Sequence, residues 1–413
     1  MQLKNGWTIG QFRVWRACFG VYLAFHFAAL LPWATELFSS KGALPRGTLS
    51  PLFHLFPNLF LLCDSPAFVL GCVAAAAVSG ALFALGRFDR WMAIFLWYIW
   101  ACLYGRNPLI GNPSLPFIGW LLLAYALVPR LPRGQDEAGN EQSFGTWRMP
   151  EDVFAAAWIL MAIAYSYSGY AKLTSPSWVD GSALRHVLHN PLARDTALRI
   201  SLLALPPLSL RLATWGALFL ELFFAPLSLF RKLRPALWLA MLGMHLGLLA
   251  LVNFSDLTLG MLVLQFFTFD PAWIVSPKPA GQTIFYDGNC GLCHGFVRFV
   301  LSEDQSVRPF SFAPLQGEAI KRTLNEKQRE TLPDSVVVVD AEKKIMTRSS
   351  AVLYVMKRLG GLWSLLAILL HLVPRALRDL VYDAIASVRI KLLGTTAESC
   401  PMVPATLRTR FLH

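Results

Sequence analysis

Charge is scarce in this chain. Of its 413 residues only 15% are Asp, Glu, Lys or Arg, against 55% hydrophobic, and the mean hydropathy is +0.48. A soluble protein carries about 25% charged residues, so an ordinary soluble fold is excluded and a polytopic α-helical membrane bundle is expected. Acidic residues are the scarcer sign, 25 against 37 basic, for a net charge of +12. In a soluble domain that excess would point to nucleic acid. Here the basic residues sit in short clusters between apolar runs, the positive-inside pattern, and no basic tail stands out, so no nucleic-acid partner is expected. Cysteine is sparse and odd in number, seven in all, which excludes a secreted disulfide scaffold. No short period recurs, and 29 Phe with 14 Trp exclude disorder and collagen-like repeats.

What is abundant is apolar runs. A helix needs about 20 residues to cross a hydrocarbon core of roughly 30 Å, and candidate spans read at 9–31, 66–86, 91–105, 114–129, 152–171, 208–229, 236–252 and 255–271, about eight helices. The third and fourth are short and interrupted by Gly105, Pro108 and Pro113, as in tilted or re-entrant segments. The first lacks a small-residue cleavage site and reads as a retained helix. Arg87/Arg90, Arg130/Arg133/Arg148 and Arg231/Lys232/Arg234 fall in alternate connections, which predicts a multi-pass protein of a bacterial-type inner (cell) membrane with these loops and both termini cytoplasmic. The loop after residue 171, with Lys172, Arg185, Arg194 and Arg199, then lies outside, and its basicity asks for a local reason.

Residues 1–275 thus form a helical domain. A Pro/Gly-rich linker at 276–282 follows, with the composition changing to that of a small soluble domain at 283–396 and a tail at 397–413. Thr283–Asp287, Val307–Phe312, Val336–Asp340 and Lys344–Thr347 read as strands; Cys293–Leu301, Leu315–Glu330 and Ser349–Leu359 read as helices, the last capped by Ser and ended by Gly360-Gly361. The order βαβαββα is that of an α/β thioredoxin-like fold. Leu362–Val373 is too short to span and continues into the amphipathic Arg375–Leu393, expected to pack on the domain or the membrane surface.

Cys290-Gly291-Leu292-Cys293 lies between a strand and a helix, where the helix amino terminus supplies N–H groups and positive partial charge to a thiolate. Cys290 is then the exposed nucleophile and Cys293, in the first turn, the resolving thiol. Pro333 stands before the third strand, where such folds place a cis-proline. Three other readings stay open: a zinc site using His294 or Cys400, a haem attachment through Cys290–His294, and a buried structural pair of thiols. The lone CxxC and its strand–turn–helix setting favour redox work.

Tyr286-Asp287-Gly288-Asn289-Cys290-Gly291-Leu292-Cys293, then Arg348-Ser349-Ser350-Ala351, then Tyr382-Asp383-Ala384-Ile385-Ala386 with Arg389 and Gly394, resemble the DCC family of thiol-disulfide oxidoreductases over about residues 282–396. The resemblance implies a thioredoxin-like domain with Cys290 and Cys293 as the site and Asp287 supporting it, acting on an unidentified protein thiol or disulfide partner.

In the helical part, Lys172 ends an apolar run holding Tyr165, Tyr167 and Ser168. Such a lysine either snorkels to the interface or, half-buried among aromatics, serves as a base. Gly169-Tyr170-Ala171-Lys172-Leu173 with Trp178 and Gly181, and more weakly His245, Phe254, Ser255, Gly260 and Trp273, resemble the HTTM module of the vitamin K-dependent γ-carboxylase family over about residues 8–275. That family's lysine deprotonates a quinol, so the resemblance allows a quinone as cofactor and a membrane enzyme or maturation factor acting on a quinone, lipid or peptide. The segment Leu103–Pro108 lacks the family's histidine and the large β-rich region is replaced, so glutamate carboxylation is not expected. Glu221 lies mid-span and is expected to pair or to face a polar cavity with Lys172 or His245. His26 reads as a satisfied bundle histidine, the His186/His189 pair is a weak ligand signal, and no metal is assigned. With no second CxxC among Cys18, Cys63, Cys72 and Cys102, a disulfide relay across the bundle is not expected.

Overall fold

The computed structural model describes residues 5–52, 55–129, 147–274, 281–288, 290–304, 306, 308–333, 335–393 and 405–412, without the side chains of 389–393 and 405–406. Arg130, Arg133, Val275, the linker residues 276–280, Gly394, Cys400 and the Arg389 side chain lie outside this description. The chain divides into two units, one of Val14–Val128 with Pro150–Phe269, the other of Lys4–Arg13, Pro129–Met149 and Asp270–His413.

The first unit is helical. Every apolar run read from the sequence is a helix: Ile9–Leu30, Pro66–Ala84, Asp89–Arg106, Leu115–Leu127, Glu151–Lys172, Pro207–Leu222, Arg234–Leu251 and Ser255–Thr268. Four segments are long and apolar enough to cross a membrane: Ile9–Phe38, Pro66–Ala84, Glu151–Lys172 and Arg234–Leu251. The bent pair Ala197–Leu203 and Pro207–Leu222, which meet at 108°, makes a fifth if counted as one span. Leu115–Leu127 has 13 residues and Ser255–Thr268 has 14, too short for a straight crossing. Asp89–Arg106 carries charge at both ends, and the Pro207 helix stops at Phe223 before Pro226.

Small residues bring these helices into backbone contact. A Cβ on Gly20 would lie 2.4 Å from Ala84 N, and one on Gly80 2.6 Å from Ala24 N, so two glycines face each other's helix across one crossing. Trp15, Phe19, Phe83, Tyr125 and Phe267 fill the neighbouring core, with Trp15–Phe267 at 4.8 Å and Phe83–Tyr125 at 4.8 Å between ring centroids. Charges inside apolar helices are costly alone, and here they are paired: Arg16 with Asp89 at 3.6 Å, and the fully buried Arg106 with Asp64 at 3.3 Å. The basic segment after Lys172 has its local reason too, since Arg194 reaches Val252 O and Ser255 Oγ while Arg199 reaches Leu188 O.

The second unit holds four short strands, β1 (Thr283–Tyr286), β2 (Ser311–Pro314), β3 (Val337–Val339) and β4 (Ile345–Thr347), in the order β2-β1-β3-β4. β1 pairs parallel with β2 and antiparallel with β3, which pairs antiparallel with β4. The parallel pair needs a crossover, supplied by the helix Gly291–Glu303. Alternation along the strands separates two cores. Ile284, Tyr286, Phe312 and Val338 pack with both CxxC cysteines and Val355, whereas Phe285, Ala313, Val337 and Val339 pack with Ile320 and Leu324.

The βαβαββα order is met with local differences. The second helix is split into Glu318–Thr323 and Glu326–Glu330, because Asn325 and Gln328 form a capping box that starts a new helix. The third begins at Arg348 after Thr347, and Ser349 does not cap it through its own side chain; instead Asp379 accepts from the Ser349 N–H at 3.3 Å and from its hydroxyl. Beyond the fourth strand, Arg410–Leu412 add to the sheet edge through Phe312 N–H to Arg410 O at 2.8 Å and Leu412 N–H to Phe312 O at 2.8 Å.

Glu303, in the last turn of the crossover helix, is 1% exposed. Its carboxylate accepts from Gly10 N at 2.7 Å, from Trp363 Nε1 at 2.6 Å and from the Thr8 hydroxyl, so it serves N–H groups left unpaired where the Ile9 helix begins. Burial pushes this carboxyl above its usual range, against the pull of those hydrogen bonds. A raised folded-state value means that protonation favours the folded state, so this contribution grows as pH falls toward the unfolded value of about 4.3. Compared with Glu303→Gln, wild type should therefore gain thermal stability as pH is lowered from 7 toward 5. Glu303→Ala, leaving three donors unanswered, should lose about 2–4 kcal/mol; unfolding midpoints across pH check both.

Candidate functional site

β1 ends at Tyr286, and four residues later the chain enters the crossover helix with Cys290 at its N-cap (φ −106°, ψ 118°) and Cys293 in its first turn. The Cys290 N–H donates to Asp287 O at 3.3 Å, and its carbonyl accepts from His294 N at 3.1 Å. The helix is amphipathic, burying Cys293, His294, Val297, Val300 and Leu301. Both cysteines are free thiols. Contrary to the expectation of an exposed nucleophile, Cys290 is 0% exposed and Cys293 5%. The reason is their place in the core: Tyr286, Phe312, Val336 and Ala351 pack around them.

Two side chains that the spacing did not reveal fasten Gly288, just before the cysteines. His294 Nε2 donates to Gly288 O at 2.9 Å, and its ring meets Tyr286 edge-on at 5.8 Å. Gln316 accepts from Gly288 N at 3.3 Å and donates to Asp287 Oδ1 at 3.1 Å. His294 thus spends Nε2 on a carbonyl, which opposes its use as a haem or zinc ligand through that atom, and no group of three potential metal ligands occurs among the described residues. Asp287 holds Gln316 and the Cys290 amide. The remaining signal for these partners was chemical, a His directly after the second cysteine.

Pro333 departs from expectation. Peptide bonds among the described residues are all trans. Leu332, just before it, turns back onto Arg329 O at 3.2 Å and packs on the Phe285 and Val337 face, opposite the cysteine core.

The separated sequence motifs meet. Arg348 pairs with Asp383 at 3.1 Å, and Tyr382 Oη accepts from Val336 N at 2.9 Å, which ties the Arg375–Leu393 helix to the residue just before β3 that packs in the cysteine core.

In the helical unit, Gly169 lets the Glu151–Lys172 helix touch the Pro207–Leu222 helix: a Cβ there would lie 2.4 Å from Leu222 N. One turn on, Lys172 Nζ bonds Glu221 Oε2 and, at 2.8 Å, Ser168 Oγ, and lies 4.9 Å from the Trp178 ring centre. His245 is held separately, with its Nε2 2.9 Å from Tyr165 Oη, which also accepts from Gln265 Nε2 at 3.1 Å. Glu221 therefore pairs with Lys172, while His245 bonds Tyr165 and not the pair.

The family described as DCC1-like thiol-disulfide oxidoreductase matches residues 284–395. The uncharacterized protein YuxK of Bacillus subtilis is 32% identical over 140 residues, 34% of this chain and 99% of its own length. A DCC family protein of Arabidopsis thaliana, named as chloroplastic, is 35% identical over 122 residues, 29% of this chain and 68% of its own. No solved structure matches.

Two outcomes follow from this geometry. Native alkylation of Cys290 and Cys293 should be slow, and His294→Ala, which frees the Gly288 carbonyl, should speed it about fivefold, read by mass spectrometry of timed quenches. Lys172→Met and Glu221→Gln should each destabilise more than the double substitution, with a coupling of about 1–3 kcal/mol in thermal unfolding.

Proposed function

Because the chain belongs, through residues 284–395, to the DCC1-like thiol-disulfide oxidoreductase family, we propose that it is a membrane-bound thiol–disulfide oxidoreductase whose dithiol is Cys290 and Cys293. The observation that carries the reading is the position of both thiols at the start of the crossover helix after β1, the arrangement a thioredoxin-like fold uses. The Cys290 thiolate attacks one sulfur of a partner disulfide, forming a mixed disulfide and releasing the partner's first thiolate. The Cys293 thiolate then attacks the Cys290 sulfur, closing Cys290–Cys293 and releasing the second, with two protons ending on the partner's thiols. Run in reverse, the same steps oxidise a dithiol. Because both sulfurs are buried, exchange requires them to become accessible, and the His294 and Gln316 bonds to Gly288 oppose that local opening.

The apolar helices support a membrane location, and the alternate basic clusters support an inner-membrane orientation with this domain in the cytoplasm. A second reading makes the HTTM-like helical unit an enzyme or maturation factor acting on a quinone, lipid or peptide through Lys172. What weighs on it is the Glu221 and Ser168 contacts: a substrate would first have to displace Glu221 from the ammonium.

Cys293→Ser should accumulate a mixed disulfide on Cys290 when the full chain is purified from cells with alkylating quench, and the double Cys290→Ser/Cys293→Ser should accumulate none. Non-reducing gels and mass spectrometry read the result. Equal capture by Cys290→Ser alone would reverse the assigned roles.

A further inference from the structure

Two helices follow the sheet, and each has one side on the domain and one side open. Gly361–His371 carries no Asp, Glu, Lys or Arg, and its 11 residues are too few to cross a bilayer. Ala367 packs inward, with Leu353 and Met356 of the Arg348–Leu359 helix. Outward, Leu369 is 61% exposed and Leu372, just beyond the helix, 80%. After Pro374 the Arg375–Leu393 helix repeats this division. Asp379 takes the Ser349 N–H and Asp383 pairs with Arg348, both on the domain. Leu377, Leu380, Val381, Ile385 and Val388, spaced as one helical face, are all exposed. Apolar residues gathered on exposed faces, rather than scattered singly, mark a docking surface.

The place where the first of these helices starts says what covers them. Gly361 has a φ of +54° and sits in a notch, where a Cβ would lie 2.4 Å from Gln11 Oε1 and 2.8 Å from Pro271 Cβ. The Leu362 N–H donates to Gln11 Oε1 at 2.9 Å, and the Gly361 N–H to Ile274 O at 3.4 Å. Trp363 Nε1 donates to the Glu303 carboxylate that also takes the Gly10 N–H. Gly10 and Gln11 belong to the first turn of the membrane-length segment Ile9–Phe38, and Pro271 follows Ser255–Thr268, the last apolar helix before the linker. The amino end of Gly361–His371 is therefore fastened where the chain enters one apolar run and leaves another. A helix held at that level with an apolar face meets the boundary between lipid headgroups and acyl chains.

We propose that Gly361–His371 and the apolar face of Arg375–Leu393 form a lipid-docking surface, lying in the bilayer interface and holding the thiol-bearing domain against the membrane. Tyr382, on the second of these helices, holds Val336 of the cysteine core, so docking sets that core beside the bilayer, where partners that are themselves at the membrane meet it. This rests on the reading of the chain as membrane-bound and is independent of the thiol chemistry.

The test uses the full-length protein in nanodiscs of phosphatidylcholine doped with a phospholipid that carries a diazirine near the head of one acyl chain. After irradiation and digestion, lipid adducts are mapped by mass spectrometry. Both helices should carry about tenfold more adduct than 318–330, whose Ile320 and Leu324 pack on the opposite face of the sheet from the cysteines. Leu369→Glu with Leu380→Glu, both at exposed positions, should remove most of that labelling and leave adducts on Ile9–Phe38 unchanged. Wild-type labelling of either helix no higher than that of 318–330, with Ile9–Phe38 labelled, would overturn the proposal and leave the membrane reading standing. No adduct on Ile9–Phe38 would remove the membrane reading and the proposal with it. Helix peptides free of lipid but joined to a second copy of the chain by a bifunctional cross-linker would assign the surface to self-association instead.

Discussion

Two parallel strands cannot be joined by a tight turn, and the pairing of β1 with β2 forces the chain to leave the end of β1, cross the sheet as a helix and return. Whatever residues follow β1 are thereby set at a helix amino terminus. In this chain they are Cys290 and Cys293, so the placement of the dithiol is a consequence of strand direction. The same helix ends at Glu303, whose carboxylate answers the N–H of Gly10 and the Trp363 ring. One rigid element thus carries the thiols at one end and a buried anchoring carboxylate at the other.

The helical unit obeys a different constraint. Where the surroundings are apolar, each ionisable group needs a partner, and which partner it finds is decided by how closely the helices approach. Gly169 brings backbone to backbone beside Glu221, and Lys172, one turn further, closes the pair. Asp256 gathers His26 and Tyr22 from one helix and Asn112 from a separate segment, and a cavity lies beside them.

Local patterns made much of this legible. The eight apolar runs are helices, the strands fall near their read positions, and a CxxC between strand and helix lies where local sequence indicates. Burial of the cysteines was not legible, because it depends on Tyr286, Phe312, Val336 and Ala351, which come from β1, β2, the approach to β3 and the Arg348–Leu359 helix. Loop fastening by Gln316 was hidden for the same reason, since it lies 28 residues from Gly288. Asn325 and Gln328 do carry a local signal, a capping box, which outweighs the continuous helix read over Leu315–Glu330. His26 is satisfied within the bundle as it reads, but its partner, Asp256, is 230 residues away and could not be named from local sequence.

The measurement that bears most directly on the central claim is an equilibrium redox titration of the full-length protein, quenched with acid and mapped by mass spectrometry. If Cys290 and Cys293 form the working dithiol, both must pass together between the free and the mutually disulfide-bonded forms along one two-electron curve, with Cys18, Cys63, Cys72 and Cys102 unchanged. If the two thiols remain free across the oxidising range, or oxidise separately to different partners, they are a buried structural pair and the account of the crossover helix as a redox element is wrong.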